Sequence, residues 1–382
     1  MPDISASSIV TLEQIAPREA FEQEVAEGWL TRRDHQTAPY EIWNYTDKAQ
    51  FDRHWNPVTR AARGLITHRL TGEIIARPFP KFFNLGEDGD QIPDGPVVIT
   101  AKVDGSLGIL YRLPDGQLAI ATRGSFHSDQ AVHATRVLHT RYADFQPEPG
   151  LTYLFEIIYP DNRIVVDYGE YDDLVLLGAV NIKSGRSISP VDLQGSWPGP
   201  VTPVYSGVSI LDLDKSKIAE NEEGFVAHFL ESDTRLKIKG EWYMRIQRFL
   251  SHTSPKTIAE ILMSGEDLDE FVESAPPNLR SWVVETAEEI KRRHAAKIAE
   301  ATAEYESVKR NLEENFSRKD FALTAARSPN AKYLFALLDN KDIAPLVWRD
   351  LELPENTMPS LAPDPEDRSL NVDQLSDSSV SL

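Results

Sequence analysis

The chain contains no cysteine among its 382 residues. Disulfides and thiolate metal sites are therefore excluded. No run of about eighteen apolar residues exists, so no membrane span is expected. The start, Met1-Pro2-Asp3-Ile4, lacks a basic stretch followed by an apolar core, so no signal peptide is visible. These absences together predict a cytoplasmic protein. Positive charge is scarce as well: 40 Lys and Arg stand against 60 Asp and Glu, for a net charge of −20. Taken alone, that balance argues against a nucleic-acid partner, which favours a basic surface.

The charge is unevenly spread, however. Residues 351–382 carry seven acids against Arg368 alone. They are rich in Pro, Ser and Asp, and predict a disordered acidic tail. A basic cleft can persist on an acidic protein, because the field inside a cleft is set by its nearest charges.

An apolar fraction of 41% is enough for a packed core. Residues 1–245 alternate short strand-like runs with turn signals. The runs are Val97–Ala101, Leu107–Leu113, Gln117–Thr122, Thr152–Ile158, Arg163–Val166, Leu174–Val180, Gly224–Phe229 and Arg235–Lys239. Pro114-Asp115-Gly116 between two of them predicts a β-hairpin. Helices are expected over 12–26 and 128–142, the latter capped at Ser128. This first part reads as a largely antiparallel α+β domain. From 246 to 350 the spacing turns helical, with Ser254-Pro255 as a helix start and a long charged helix over 279–316. The expected division is thus a domain at 1–245, an all-helical domain at 246–350 and the tail at 351–382.

Within the first part, Lys102-Val103-Asp104-Gly105-Ser106 stands between two apolar runs. An amine is expensive to bury without a partner. Desolvation or neighbouring cations lower its pKa and make it a nucleophile. Lys102 is therefore a candidate for covalent catalysis. Further segments supply matching chemistry. Arg63 precedes a strand-like stretch, Lys81 lies in Pro80-Lys81-Phe82-Phe83-Asn84-Leu85-Gly86-Glu87, and Arg123 follows the hairpin. Glu156 interrupts an apolar run, Glu222-Glu223 enters a strand, and Lys237-Ile238-Lys239 puts two amines on one strand face. Three or more cations could hold a triphosphate. A carboxylate-held divalent ion would neutralise charge developing on phosphorus. Each part alone has a plainer reading as a turn or a solvated charge; their conjunction points to nucleotidyl transfer through a lysine.

Lys102-Val103-Asp104-Gly105-Ser106, Phe155-Glu156, Glu223-Gly224-Phe225-Val226 and Lys237-Ile238-Lys239 resemble motifs I, III, IV and V of the covalent nucleotidyltransferases. The segments 80–87 and 155–165, and Glu241-Trp242-Tyr243 after the lysine pair, resemble the phage-type ATP-dependent RNA ligase 1 family, whose founding member repairs cleaved tRNA. The resemblance spans roughly 50–248. It implies an antiparallel-sheet nucleotidyltransferase domain of ATP-grasp-like ligase type, followed by a helical C-terminal domain. It also implies ATP with Mg²⁺ (or Mn²⁺) as cofactors, and RNA with 5′-phosphate and 3′-hydroxyl ends as partner, cleaved tRNA included. A monomer acting in the cytoplasm, or in the host cytoplasm if phage-encoded, is expected.

Carried over by position, Lys102 takes the AMP and Lys239 orients pyrophosphate or activates Lys102. Lys237 and Lys239 contact the α-phosphate, and Glu156 binds the ribose. Asp104 and Gly105 belong to the AMP site, Glu223 holds the metal, and Arg63, Lys81 and Arg123 meet the ribose or the outer phosphates. Arg123 departs from the best-known member, which has a lysine there, and an arginine replaces a point donor with a planar fork. Leu176, Leu177 and Gly178 lie on the strand that lines the nucleotide in that family.

A DNA ligase ranks lower, because an OB-fold follows motif V in such enzymes and the segment after Lys239 reads as helical. From a different class, a catalytically retired fold that only binds RNA ends or nucleotide is the alternative. In the helical part, Arg292, Arg293, Lys297, Lys309, Arg310, Arg318 and Lys319 could meet phosphates. A solvated face balanced by Glu288, Glu289, Glu304 and Glu306 accounts for them equally well.

Overall fold

The computed structural model describes residues 9–87, 92–312 and 315–355. The acidic tail from 356 on lies outside the described residues, so the expectation of disorder there is not addressed. The described residues divide into two compact units, one ending at Met244 and the other starting at Arg245.

The first unit is a mixed α+β structure of helices and mostly antiparallel sheets. Its first four strands are β1 (Leu30–Asp34), β2 (Tyr40–Tyr45), β3 (Arg63–His68) and β4 (Ile74–Ala76), which pair in that order. Then come β5 (Phe83–Asn84), β6 (Val97–Ala101), β7 (Ser106–Arg112), β8 (Leu118–Ala121), β9 (Leu151–Ile158) and β10 (Asp173–Asn181). The last are β11 (Ser187–Ile188), β12 (Val204–Tyr205), β13 (Gly224–Phe229) and β14 (Thr234–Lys239). A second sheet has the order β11-β10-β9-β7-β8, and a third the order β12-β6-β13-β14-β5. Only the β14–β5 ladder among these is parallel.

Strand β9 explains why a glutamate can sit in an apolar run. It is central in its sheet and buried from Thr152 to Ile158. A strand covered on both faces reads as a continuous apolar segment rather than an alternating one. Phe155 and Ile157 pack on one side with Leu176 and Trp197, while Leu154 packs on the other with Ile66 and Ile109.

The helices are α1 (Arg18–Ala26), α2 (Asp47–Phe51), α3 (Pro57–Ala61) and α4 (Asp129–Arg141). The expected helix over 12–26 is split. Leu12–Gln14 is a single 3₁₀ turn, and Pro17 stands at the cap of α1, where a proline ring is tolerated. Helix α4 starts as predicted, with the Ser128 hydroxyl accepting the Ala131 N–H at 3.3 Å. The hairpin at Pro114-Asp115-Gly116 joins β7 to β8, with Gly116 at φ +90. The expected strand over Arg163–Val166 is absent: Ile164, Val165 and Val166 form bends. The Val165 and Val166 N–H groups donate to the Asp104 carboxylate at 2.8 and 2.9 Å instead of to a sheet partner.

After β14 the chain is helical through the described residues: α5 (Glu241–His252), α6 (Pro255–Ser264), α7 (Leu268–Ser274), α8 (Arg280–Arg310), α9 (Arg318–Ala325), α10 (Ala331–Leu338) and α11 (Ala344–Asp350). Helix α6 is capped by the Ser254 hydroxyl on the Thr257 N–H and closed by Gly265 at φ +77. Trp282, Val283, Ala287 and Ile290 of α8 form the buried face of this second unit, with Ile258 of α6.

Candidate active site

The three sheets of the first unit surround a cavity of about 570 Å³. Lys102 enters it from the turn after β6. The Lys102 N–H donates to the Gly224 carbonyl at 2.8 Å, which ties this turn to the start of β13. The Lys102 amine donates to Glu223 Oε2 at 2.7 Å. The other oxygen of Glu223 takes Lys239 Nζ at 3.0 Å. Glu223 is only 3% exposed, so one buried carboxylate holds two amines.

This arrangement sets the charges. Burial alone disfavours the Lys102 ammonium, but the pull of Glu223 and Glu156 exceeds it, and the pKa is raised. The sequence reading expected a lowered pKa at Lys102, because it counted the neighbouring cations and missed the direct carboxylate contact. The depressed amine is Lys237 instead. Burial, with Arg63, Lys102, Lys81 and Lys239 around it, brings its pKa to about 6. Burial also favours the protonated form of Glu223, yet Lys102 and Lys239 bring its pKa below the ordinary value. Glu156 is pushed up to about 7, chiefly by burial, with Lys102 opposing.

The motif around Lys102 is held from both sides. Gly105 donates its N–H to Glu156 Oε1 at 3.0 Å. A Cβ on Gly105 would stand 2.6 Å from the Ile157 carbonyl oxygen, so only glycine lets this turn lie against β9. The Ser106 hydroxyl donates to Asn162 Oδ1 at 3.0 Å. Asp104 differs from the expectation of an AMP contact. It is 4% exposed and does not line the cavity. Its oxygens accept from Val165, Val166 and the Tyr243 hydroxyl, the last at 2.8 Å. Its own N–H donates to the Tyr168 oxygen at 2.8 Å. Asp104 is a hub that pins the 163–168 segment and the first turn of α5 against the Lys102 turn.

Arg63, Arg123 and Lys237 all line the cavity. Arg63 Nη1 is buried with no hydrogen-bond partner among the described residues. The guanidinium lies 5.5 Å from the Phe82 ring centre, and Lys237 Nζ lies 4.6 Å from the same ring. Arg123 donates to the Tyr45 oxygen at 2.8 Å and sits over that ring at 4.8 Å. Lys81 is not brought to the cavity lining. Its amine donates to Gln50 Oε1 at 2.5 Å and lies 4.8 to 5.4 Å from the rings of Trp55, Phe83 and Tyr45. Of the predicted adenine strand, Leu177 faces the cavity, while Leu176 belongs to the core on the opposite side.

Glu223, expected to hold a metal, is the counter-ion of two lysines. No group of three or more His, Asp or Glu side chains suited to a metal ion gathers among the described residues. A single carboxylate still fits a magnesium-type ion, which keeps water and phosphate oxygens as most of its ligands.

Sequence reasoning missed Tyr45, Phe79, His228 and Arg235. The signal for the last two was present. Val226 and His228 alternate on β13 as Lys237 and Arg235 do on β14, and both pairs line the cavity. Tyr45 carried no signal, because it reaches Arg123 from a strand 78 residues away.

Chemically, the cavity joins an amine held beside a carboxylate to unpaired cations that call for a polyanion. Comparison with known proteins agrees. Residues 61–193 match the model of a family described as RNA ligase. A Thermovibrio ammonificans protein that carries the RNA ligase name is 28% identical over 204 residues, covering 50% of this chain and 53% of its own length. RNA ligase 1 of bacteriophage TS2126 is 26% identical over 239 residues, covering 56% and 58%. This chain thus spans little more than half the length of those two relatives. A mutant of the Naegleria gruberi RNA ligase, solved with ATP and Mn, is 16% identical over 40% of this chain and 51% of its own, with a TM-score of 0.31. At that score the structural likeness bears no weight. Residues 61–193 are thus similar to the RNA ligase family, and phage RNA ligases are among the proteins this chain resembles.

Proposed function

We propose that this protein is an ATP-dependent RNA ligase that joins a 5′-phosphate to a 3′-hydroxyl through a lysyl-AMP at Lys102. The observation that carries the reading is the Lys102 amine, held by the Glu223 carboxylate that it shares with Lys239, lining the same cavity as Arg63, Arg123, Lys237 and Glu156. Its fold is that of a covalent nucleotidyltransferase followed by a helical domain.

ATP enters with its phosphates toward the unpaired cations. Arg63, which has no acid partner, and Lys237, whose charge is suppressed by burial and by other cations, both gain from an arriving anion. Glu156 accepts from a ribose hydroxyl. Lys102 Nζ loses its proton by way of Glu223, and its lone pair forms a bond to the α-phosphorus. The bond from that phosphorus to the bridging oxygen breaks, and pyrophosphate leaves with the electron pair. Lys239, released from sharing Glu223, stabilises charge on the phosphate. A divalent cation, Mg²⁺ or Mn²⁺, would be held by Glu223 and supplies further neutralisation at phosphorus. The AMP then passes to an RNA 5′-phosphate, and a 3′-hydroxyl displaces it. RNA repair, including repair of cleaved tRNA, is the role that such chemistry serves.

The alternative, a retired fold that only binds RNA ends or nucleotide, is disfavoured by the same cluster. Binding alone has no need of an amine held in hydrogen-bond contact with a carboxylate. Incubation with a 5′-phosphorylated RNA oligonucleotide, ATP and Mg²⁺ separates the two. The ligase reading expects circular or concatenated RNA; binding without any joined product would establish the alternative.

A further inference from the structure

The β13–β14 ladder orders one wall of the cavity. Lys239, Lys237 and Arg235 follow two residues apart on one face of β14, opposite Gly224, Val226 and His228 of β13. The wall thus has a first end at Lys239, which shares Glu223 with Lys102, and a second end at Arg235 and His228. Phe79, Leu177 and Pro190 line the same cavity. At the second end the cation is already compensated. Arg235 Nη1 lies 3.5 Å from Asp233 Oδ1 and donates to the Ser187 hydroxyl at 2.6 Å. An anionic tail prefers the first end, with Lys237 beside it, and an uncharged, flat ring prefers the second.

The second end is built as a rigid polar device. Arg235 and His228 are 8% and 5% exposed. His228 Nδ1 faces Arg235 Nη2 at 3.4 Å, and an arginine only donates, so Nδ1 is the acceptor. The proton of the ring is then on Nε2, which donates to Asp233 Oδ1 at 2.7 Å. Asp233 is further fixed by the Ser187 N–H at 3.0 Å. Both ring nitrogens of His228 are thereby committed within the protein. Arg235 is different. Its Cζ lies 3.9 Å from the Phe79 ring centre, and its hydrogen bonds among the described residues run through Nη1 and Nη2, none through Nε. A guanidinium locked in place on a cavity wall, with donor capacity left, recognises an acceptor.

We propose that Arg235 reads the base of the bound nucleotide by donating to a ring nitrogen of the purine. Asp233, His228 and Ser187 are positioning residues that hold the guanidinium against Phe79. This rests on the ATP-dependent reading above and deepens it: ribose at Glu156, phosphates at Arg63 and Lys237, purine edge at Arg235. Adenine offers N1 and N7 as acceptors in the plane of its ring. Arg235 has no acceptor of its own, so it contributes nothing to recognition of the exocyclic amine.

The test changes the nucleotide first and the protein second. Wild-type protein is incubated with Mg²⁺ and increasing ATP, 7-deaza-ATP or 1-deaza-ATP, and the fraction of Lys102 carrying nucleotide is measured by mass. One of the two analogues is expected to need about ten-fold or more higher concentration than ATP, the size of a lost hydrogen bond to a charged donor. In Arg235→Met that difference disappears, because ATP itself is weakened to the level of the analogue. Equal labelling by all three nucleotides in wild type would overturn the proposal and leave Arg235 as a clamp between β14 and β11. A difference that persists in Arg235→Met would also overturn it. The wild-type series decides the matter even if the variant fails to fold. Absence of labelling with ATP itself would remove the ligase reading, and this proposal with it.

Discussion

Lys102 Nζ and Glu223 Oε2 lie 2.7 Å apart, with Glu223 also 3.0 Å from Lys239. The pair stores the nucleophile in its protonated form and keeps it aimed. Removing the acid while leaving both amines places two uncompensated ammonium groups side by side. Breaking a buried pair at one partner costs about 3–5 kcal/mol. Glu223→Gln is therefore expected to lower the unfolding free energy by an amount near the lower end of that range, since Lys102 is partly exposed. Chemical denaturation checks this, and an unchanged midpoint would show that the pair does not support the fold. The double variant Glu223→Gln, Lys239→Met is expected to recover part of the loss.

Arg63 makes the opposite case. Its Nη1 is buried without a partner, and burial lowers its pKa. An orphaned buried donor costs stability until an anion arrives. Arg63→Met is expected to leave the thermal midpoint unchanged or slightly raised. It should abolish most of the extra stabilisation that ATP confers on the wild type. Melting curves with and without ATP read both effects at once.

A pH signature follows from Lys237. Its pKa is about 6 with no anion present, and an adjacent phosphate raises it. Between pH 6 and the raised value, the empty protein holds a neutral amine and the complex an ammonium. Nucleotide binding in that window takes up a proton, and affinity falls as pH rises through it. Calorimetry in two buffers of different ionisation enthalpy measures the proton count directly. The uptake is expected to be lost in Lys237→Met.

Gly105→Ala tests the backbone rather than the charges. The added methyl would meet the Ile157 oxygen at 2.6 Å and Glu156 Cγ at 3.1 Å. Either the Lys102 turn or β9 must move, at a cost of about 1–3 kcal/mol. Labelling at Lys102 is expected to fall well beyond what the stability loss explains. Gly116→Ala is the comparison. It sits at φ +90 with no atom within 4 Å of its would-be Cβ, so it should cost stability alone.

How much of this was legible in the sequence depends on the range of each interaction. Ser128, Ser254 and the Pro114-Asp115-Gly116 turn act within a few residues, and their elements appear where expected. The alternation of Lys237, Ile238 and Lys239 gave the right face of β14, because strand period is local. The Arg163–Val166 run misled, because its valine N–H groups are satisfied by the Asp104 carboxylate far earlier in the chain rather than by a sheet partner. Asp104 looked like a ligand contact because it adjoins Lys102, yet a side chain two positions on points elsewhere. Lys81 and Arg123 were singled out as cations, but their aromatic partners Tyr45 and Trp55 lie far back in the chain.

The central claim is a covalent bond between AMP and one nitrogen. The protein is mixed with ATP and Mg²⁺, its intact mass is taken, and the modified peptide is sequenced. The account predicts one added AMP, stable in alkali and released by acid as a P–N bond is, located on Lys102 and absent in Lys102→Ala. No adduct on the wild type, or an equal adduct on Lys102→Ala, would contradict it.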